Sequence, residues 1–205
     1  YFNGQVGQVE RPSAVSIVNA RNVAMMDVFT VEQLEQRGGT GTTTIAGTVA
    51  ATGTSVAINN LGVRVTGALG TAAGVPIDLS GSVIRVTRTG RVWAGGKATF
   101  TAADIALENG NKVGVTNGAD LIMTADKLDL GSREDAIAGT GLVVLQPLST
   151  STPIDIGNAG SGFDVTSAEI GTLAVGFRKI IIGRGQDADF DSGDAGAHAV
   201  NIGDA

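Results

Sequence analysis

The sequence predicts an all-β fold, a parallel β-helix (β-solenoid) that is elongated and carries short helical turns. Three observations predict it. Glycine supplies 31 of the 205 residues while aromatics make up only 4%. That mixture suits stacked coils, with many tight turns and thin layers of Val, Ile and Leu, better than a rounded core built on large rings. Short β-branched runs recur at a spacing near 21–23 residues, the length of one coil. From Leu142 to Gly185 the order is strand, turn, short helical turn, strand, all within about forty residues.

In chain order, residues 1–29 show β-type alternation at Val15, Ile17 and Val23, as expected of an entry strand or arm. Thr30 and Gln33 form a capping-box pattern, with Phe29 and Leu34 as a hydrophobic staple and Gly38 as a stop. This predicts a short helix over Thr30–Arg37. Residues 1–40 are thus an N-terminal arm with a helix, and 41–205 the solenoid repeats ending in an acidic, Gly-rich stretch. From Gly41 the repeats emerge. Val63–Thr66 matches Ile84–Thr87 at an offset of 21, and Phe100–Ala102 matches Met123–Ala125 at 23. Ile105–Leu107 matches Leu128–Leu130 at 23, and Leu121–Met123 matches Leu142–Val144 at 21. At about 4.8 Å per coil, about seven coils make a rod on the order of 35 Å long. Asn59-Asn60, Asn109-Gly110 and Asn117-Gly118 are turn dipeptides that tolerate positive φ. Phe100–Ile105 also fits a capping box, but its partner at 123–130 favours strand. The expected core ladder is Ile58, Val65, Leu79, Val86, Leu121, Val144 and Ile181.

The segment Leu142–Leu148, Ile154–Gly157, Thr166–Leu173 and Gly176–Gly185, followed by Asp187, carries a resemblance. It is similar to a module of giant bacterial surface proteins of the filamentous-haemagglutinin-like, β-strand-repeat type, with Gln146-Pro147-Leu148 and Gly176-Phe177…Ile180–Arg184 as the most specific strings. The close match covers roughly a fifth of the chain. The resemblance implies a β-helical stalk or adhesin at a cell surface, outside the cell, with no catalytic role, and Thr166 as the start of a helical turn.

Composition narrows the partners. The net charge is −6 with scattered basic residues, which argues against nucleic acid. Without cysteine there is neither a disulfide nor a thiolate metal site, and the chain suits export in unfolded form. No apolar run is long enough to span a bilayer. The start at Tyr1 without Met and the abrupt end at Ala205 fit a piece of something longer. The open coil ends would then pair with adjoining repeats or copies of the same chain.

Four groups could carry chemistry. Asp187, Asp189 and Asp191 alternate, so in extended backbone their carboxylates share one side. Such a trio attracts Ca²⁺. The pattern departs from an EF-hand, its glycine being one place late and His198 standing where a bidentate Glu belongs; a solvated acidic turn is the plain alternative. No cofactor is required. Arg64, Arg85, Arg88 and Arg91 form a second set; Arg64 and Arg85 at coil spacing make a ladder for acidic glycans, or else pair with Asp78 or Asp104. Trp93, in what reads as a glycine-flanked turn, is a sugar-stacking platform or a cover for a coil edge. His198 lies in the tail with no nucleophile elbow to serve. A polysaccharide-acting enzyme needs clustered carboxylates. Asp78, Asp104, Glu108, Asp120, Asp126 and Asp129 are instead spread over several coils. The favoured function is a structural or adhesive repeat segment, with glycan or host-protein binding next and enzymatic action last.

Overall fold

The computed structural model describes residues 1–157, 163–183 and 200–202. Strands follow one another in circuits, each circuit touching three faces. β1 (Val15–Val18) precedes the first full circuit, β2 (Val23–Met25) and the ten-residue β3 (Val28–Arg37). β4 (Thr42–Ile45) and the twelve-residue β5 (Thr48–Asn59) form the second. β6 (Gly62–Val65), β7 (Ala68–Thr71) and β8 (Ile77–Ser80) form the third. β9 (Val83–Val86), β10 (Arg91–Ala94) and β11 (Ala98–Thr101) follow. Then come β12 (Asp104–Leu107), β13 (Lys112–Val115) and β14 (Leu121–Thr124). The sixth circuit is β15 (Lys127–Asp129), β16 (Ile137–Ala138) and β17 (Leu142–Gln146). β18 (Ile154–Gly157), β19 (Phe163–Thr166), α1 (Ser167–Ile170), β20 (Lys179–Ile182) and β21 (Val200–Ile202) complete the described chain.

Every pairing between these strands is parallel. The first face is the ladder β2-β4-β6-β9-β12-β15. The second runs from the first halves of β3 and β5 through β7, β10, β13 and β16. The third runs from β1 through the second halves of β3 and β5 to β8, β11, β14, β17 and β20. β3 and β5 pass around the second corner as single strands, whereas in later circuits the strand is broken there.

Alternation inside each strand explains the stack. On the second face the inward row reads Phe29, Val49, Leu69, Val92, Val113, Ile137, each registered on the next. On the third face Ile58, Leu79, Phe100, Met123 and Leu145 do the same. Such in-register apolar columns are almost wholly dry, Phe29 and Phe100 being the largest residues in them. Corners bring backbones into contact. At Gly67, which follows β6, a Cβ would collide with the carbonyl oxygens of Ala46 and Gly47 one circuit back, so only glycine fits.

The expected helix over Thr30–Arg37 is not formed; those residues lie in β3. Phe29 and Val31, then Leu34 and Gln36, point inward with period two, and β1 and β5 flank the strand. Burial and two sheet neighbours outweigh a local capping signal. The strand retained at Phe100 and the helical turn at Thr166 are both present. The register assigned to Leu142–Val144 is off by one. Leu121 pairs with Val143 rather than Leu142, and a one-residue slip exchanges the faces of a strand. Val144 and Ile181 therefore leave the core column and pack outside it, with Leu142 and Ile122. The other five expected ladder residues are core. Asn60 is not a positive-φ turn residue but a buried polar group. Its Nδ2 donates to Thr43 Oγ1 at 3.0 Å, and Thr43 Oγ1 donates to Gln36 Oε1 at 2.5 Å.

Truncation of a mid-stack ring should cost the most. Phe100→Ala should destabilise the fold by about 3–5 kcal/mol, measured as a lowered urea midpoint with the m-value unchanged.

Candidate functional site

Two outward surfaces gather the residues that the sequence marks. On the first face Arg64 and Arg85 are direct register partners, side by side on β6 and β9, and both side chains point outward because Val63, Val65, Ile84 and Val86 take the inward positions. Beside them opens a shallow cavity of about 460 Å³, with exposed Leu61 and Val83 as its apolar floor and Thr42 and Ser82 lining it. Arg85 Nη1 lies 3.8 Å from Glu108 Oε1, so its acidic neighbour is Glu108 and not the expected Asp78 or Asp104.

Trp93 lies elsewhere. It is in β10 on the second face, a strand position rather than a turn, and is 42% exposed. Its register partners are Gly70 and Gly114. The indole lies across Gly114, where a Cβ would collide with the ring. Phe177 covers Gly139 in the same way. An aromatic ring laid over a cross-strand glycine covers the gap that the missing side chain leaves. The fold thus separates Trp93 from Arg64 and Arg85 and brings it next to Arg91, two residues away on the same outward side of β10. Arg91 in turn pairs with Lys112, at the same offset of 21 as the Arg64–Arg85 pair; that offset is the signal in the sequence that marks Lys112.

Arg88, Arg91 and Arg133 converge on Gly110, in the corner after β12. Gly110 has φ +104° and lies against the Arg88 side chain. Its carbonyl accepts from Arg91 Nη1 at 3.1 Å and from Arg133 Nη1 at 3.3 Å. None of these three guanidinium groups forms an ion pair with a carboxylate among the described residues. Glu108, the acid closest in sequence, accepts the Arg88 amide at 3.2 Å and turns towards Arg85.

Most of the scattered carboxylates hold turns. Asp120 accepts the Leu142 amide at 2.8 Å, Asp126 the Ser149 amide at 2.6 Å, and Asp129 the Gly131 amide at 2.8 Å. Glu169 does most. One oxygen accepts the Leu130 amide at 3.0 Å, and the other accepts the Thr166 amide at 2.9 Å and hydroxyl at 2.8 Å. It fastens α1 to the sixth circuit. On the third face Arg37 Nε donates to Glu35 Oε1 at 2.7 Å, which holds the Glu35 carboxyl below its ordinary range. Nearby, burial pushes the Asp78 carboxyl up, and Lys97 pulls it back only in part.

Asp187, Asp189, Asp191 and His198 lie outside the described residues. Among the described residues no group of three or more His, Asp or Glu is placed to hold a metal ion, and no helix is long and apolar enough to cross a membrane. Comparison with known proteins returns no matching family model, curated protein or solved structure.

Two outcomes follow from these carboxylates. Glu169→Ala should cost about 3 kcal/mol, because three donors lose a charged acceptor in a buried setting; Glu169→Gln should cost less, and calorimetric melting would rank them. A carboxyl raised by folding stabilises the fold when protonated, and that contribution is lost as pH rises through its folded pKa. Asp78→Asn should therefore stabilise the protein near neutral pH, by less than about 1 kcal/mol since the group still reaches solvent. The gain should fade as the pH is lowered below the carboxylate range, as read from urea midpoints at both ends.

Proposed function

We propose that the chain is a structural segment of a large exported bacterial surface protein, a rigid extracellular spacer whose end coils pair with further coils of the same long chain or of a copy. Its role is mechanical and not catalytic. One observation carries this reading: among the described residues the third-face core column is unfinished at both ends of the stack. In mid-stack the third-face column of Val56, Ile77, Ala98, Leu121 and Val143 is dry. Its outer members are not: Val15 at one end is half-buried, and Ile180 at the other is 44% exposed. Among the described residues, β1 pairs only with β3, and β20 only with β17. Among the described residues each end therefore offers an unpaired strand edge beside a half-covered apolar layer. That combination is a template for another strand, and stacked coils gain stability mainly from such neighbours.

Support for export and for a cell-surface location comes from the resemblance of the 142–185 segment to the β-strand-repeat module. The net charge of −6 disfavours nucleic acid as a partner.

Sedimentation velocity over a wide concentration range tests the reading. The chain should form longer species as concentration rises. Ile180→Lys, which places a charge in the unfinished layer, should weaken this association by about tenfold or more with little change in the melting of the single chain. A species of single-chain size at every concentration, for both proteins, would overturn end-to-end pairing.

A further inference from the structure

The corner between the first and second faces carries a surface that the stalk role does not use. Arg88, Arg91 and Arg133 meet at Gly110, and Lys112 sits beside Arg91. A cavity of about 310 Å³ opens there, lined by Arg88, Asn109, Gly110, Ser132 and Arg133. Four cations are thus gathered in a chain whose net charge is −6, with no ion pair to any of them among the described residues. Glu134 and Asp135 follow Arg133 in the turn and are exposed. Guanidinium groups held this close repel one another, and a shared anion would relieve that repulsion; the Glu108 carboxylate at the same corner is engaged by the Arg88 amide and turned towards Arg85. Each guanidinium offers five donors in a fixed fork. Here Arg91 and Arg133 each lend a donor to the Gly110 carbonyl, which fixes their position and leaves further donors for a ligand.

Trp93 completes the surface. It projects from the same strand side as Arg91, two residues on, which is roughly 7 Å. Its ring is held flat by Gly114 with one side open to solvent. A fixed, half-exposed ring provides an apolar platform, and the arginine forks match carboxylates in a two-point fashion. A ligand that carries an apolar ring face and a carboxylate on each unit satisfies both. From this juxtaposition we infer that the corner binds an acidic polysaccharide of the uronate type, with a sugar ring on Trp93 and its carboxylates on Arg88, Arg91, Lys112 and Arg133. A single aromatic platform favours this over single-stranded nucleic acid, which uses successive stacking rings.

The inference is independent of end-to-end pairing, because the corner lies along the side of the stack. Trp93 is the only tryptophan, so its fluorescence reports the site directly. Titration with an oligogalacturonate should give a saturable change in Trp93 emission, with affinity that falls as salt is raised. The double variant Arg88→Ala/Arg133→Ala should weaken binding by about tenfold or more while its melting temperature stays near that of the parent. Arg88→Lys/Arg133→Lys, which keeps charge but loses the fork, should fall between the two. Arg64→Ala/Arg85→Ala on the first face should leave binding unchanged. No emission change, an equal loss from the first-face variant, or equally tight binding of oligothymidylate would each overturn the assignment.

Discussion

The whole structure depends on one constraint: each inward side chain must sit on an inward side chain of the circuit before it. Parallel pairing and an alternation of two make this automatic within a strand. Between strands it requires that every corner absorb any difference in circuit length. The extra residues of β5 at Ala51–Ser55, opposite Val31–Gln33, are taken up in this way, as a register shift at the corner and not in the faces. The columns continue undisturbed on either side. Glycines such as Gly67 permit the close corner contact, and turn carboxylates satisfy the amides left open there.

Because the columns use the inward positions, the outward ones are free to vary, and the surfaces differ from face to face. The first face pairs two arginines above an apolar floor. The second lays Trp93 over glycine, and the third carries the Glu35–Arg37 ion pair at one end and an external apolar cluster at the other. A stack of this kind separates stability from surface chemistry: the corner cations and the Trp93 platform can change without touching the core.

Much of the fold was legible in the sequence because the coil period is printed in residue type. The Arg64–Arg85 and Phe100–Met123 offsets were both true register pairs. The misassigned Leu142–Val144 shows the limit: four consecutive apolar residues contain no alternation, so nothing local indicates which of them faces inward. Thr30–Arg37 failed for the opposite reason. Its local pattern was clear, but the neighbours that decide its state, β1 and β5, are distant in sequence. The candidate surface was half legible. Arg88, Arg91 and Trp93 stood out singly, yet their meeting with Lys112 and Arg133 depends on how the corner closes at Gly110, which no spacing expresses. The polar trio Gln36, Thr43 and Asn60 was hidden for the same reason.

The uninterrupted run of β3 and β5 round the second corner gives the stack a direction. In those two circuits the hydrogen-bonded ladder is nearly continuous across the bend; in the later ones the corner is a break between short strands. Bending and twisting are therefore resisted unequally along the length, with a braced head and a more jointed tail. A rod built from such units would be polar, and a lateral load would flex it first towards the tail.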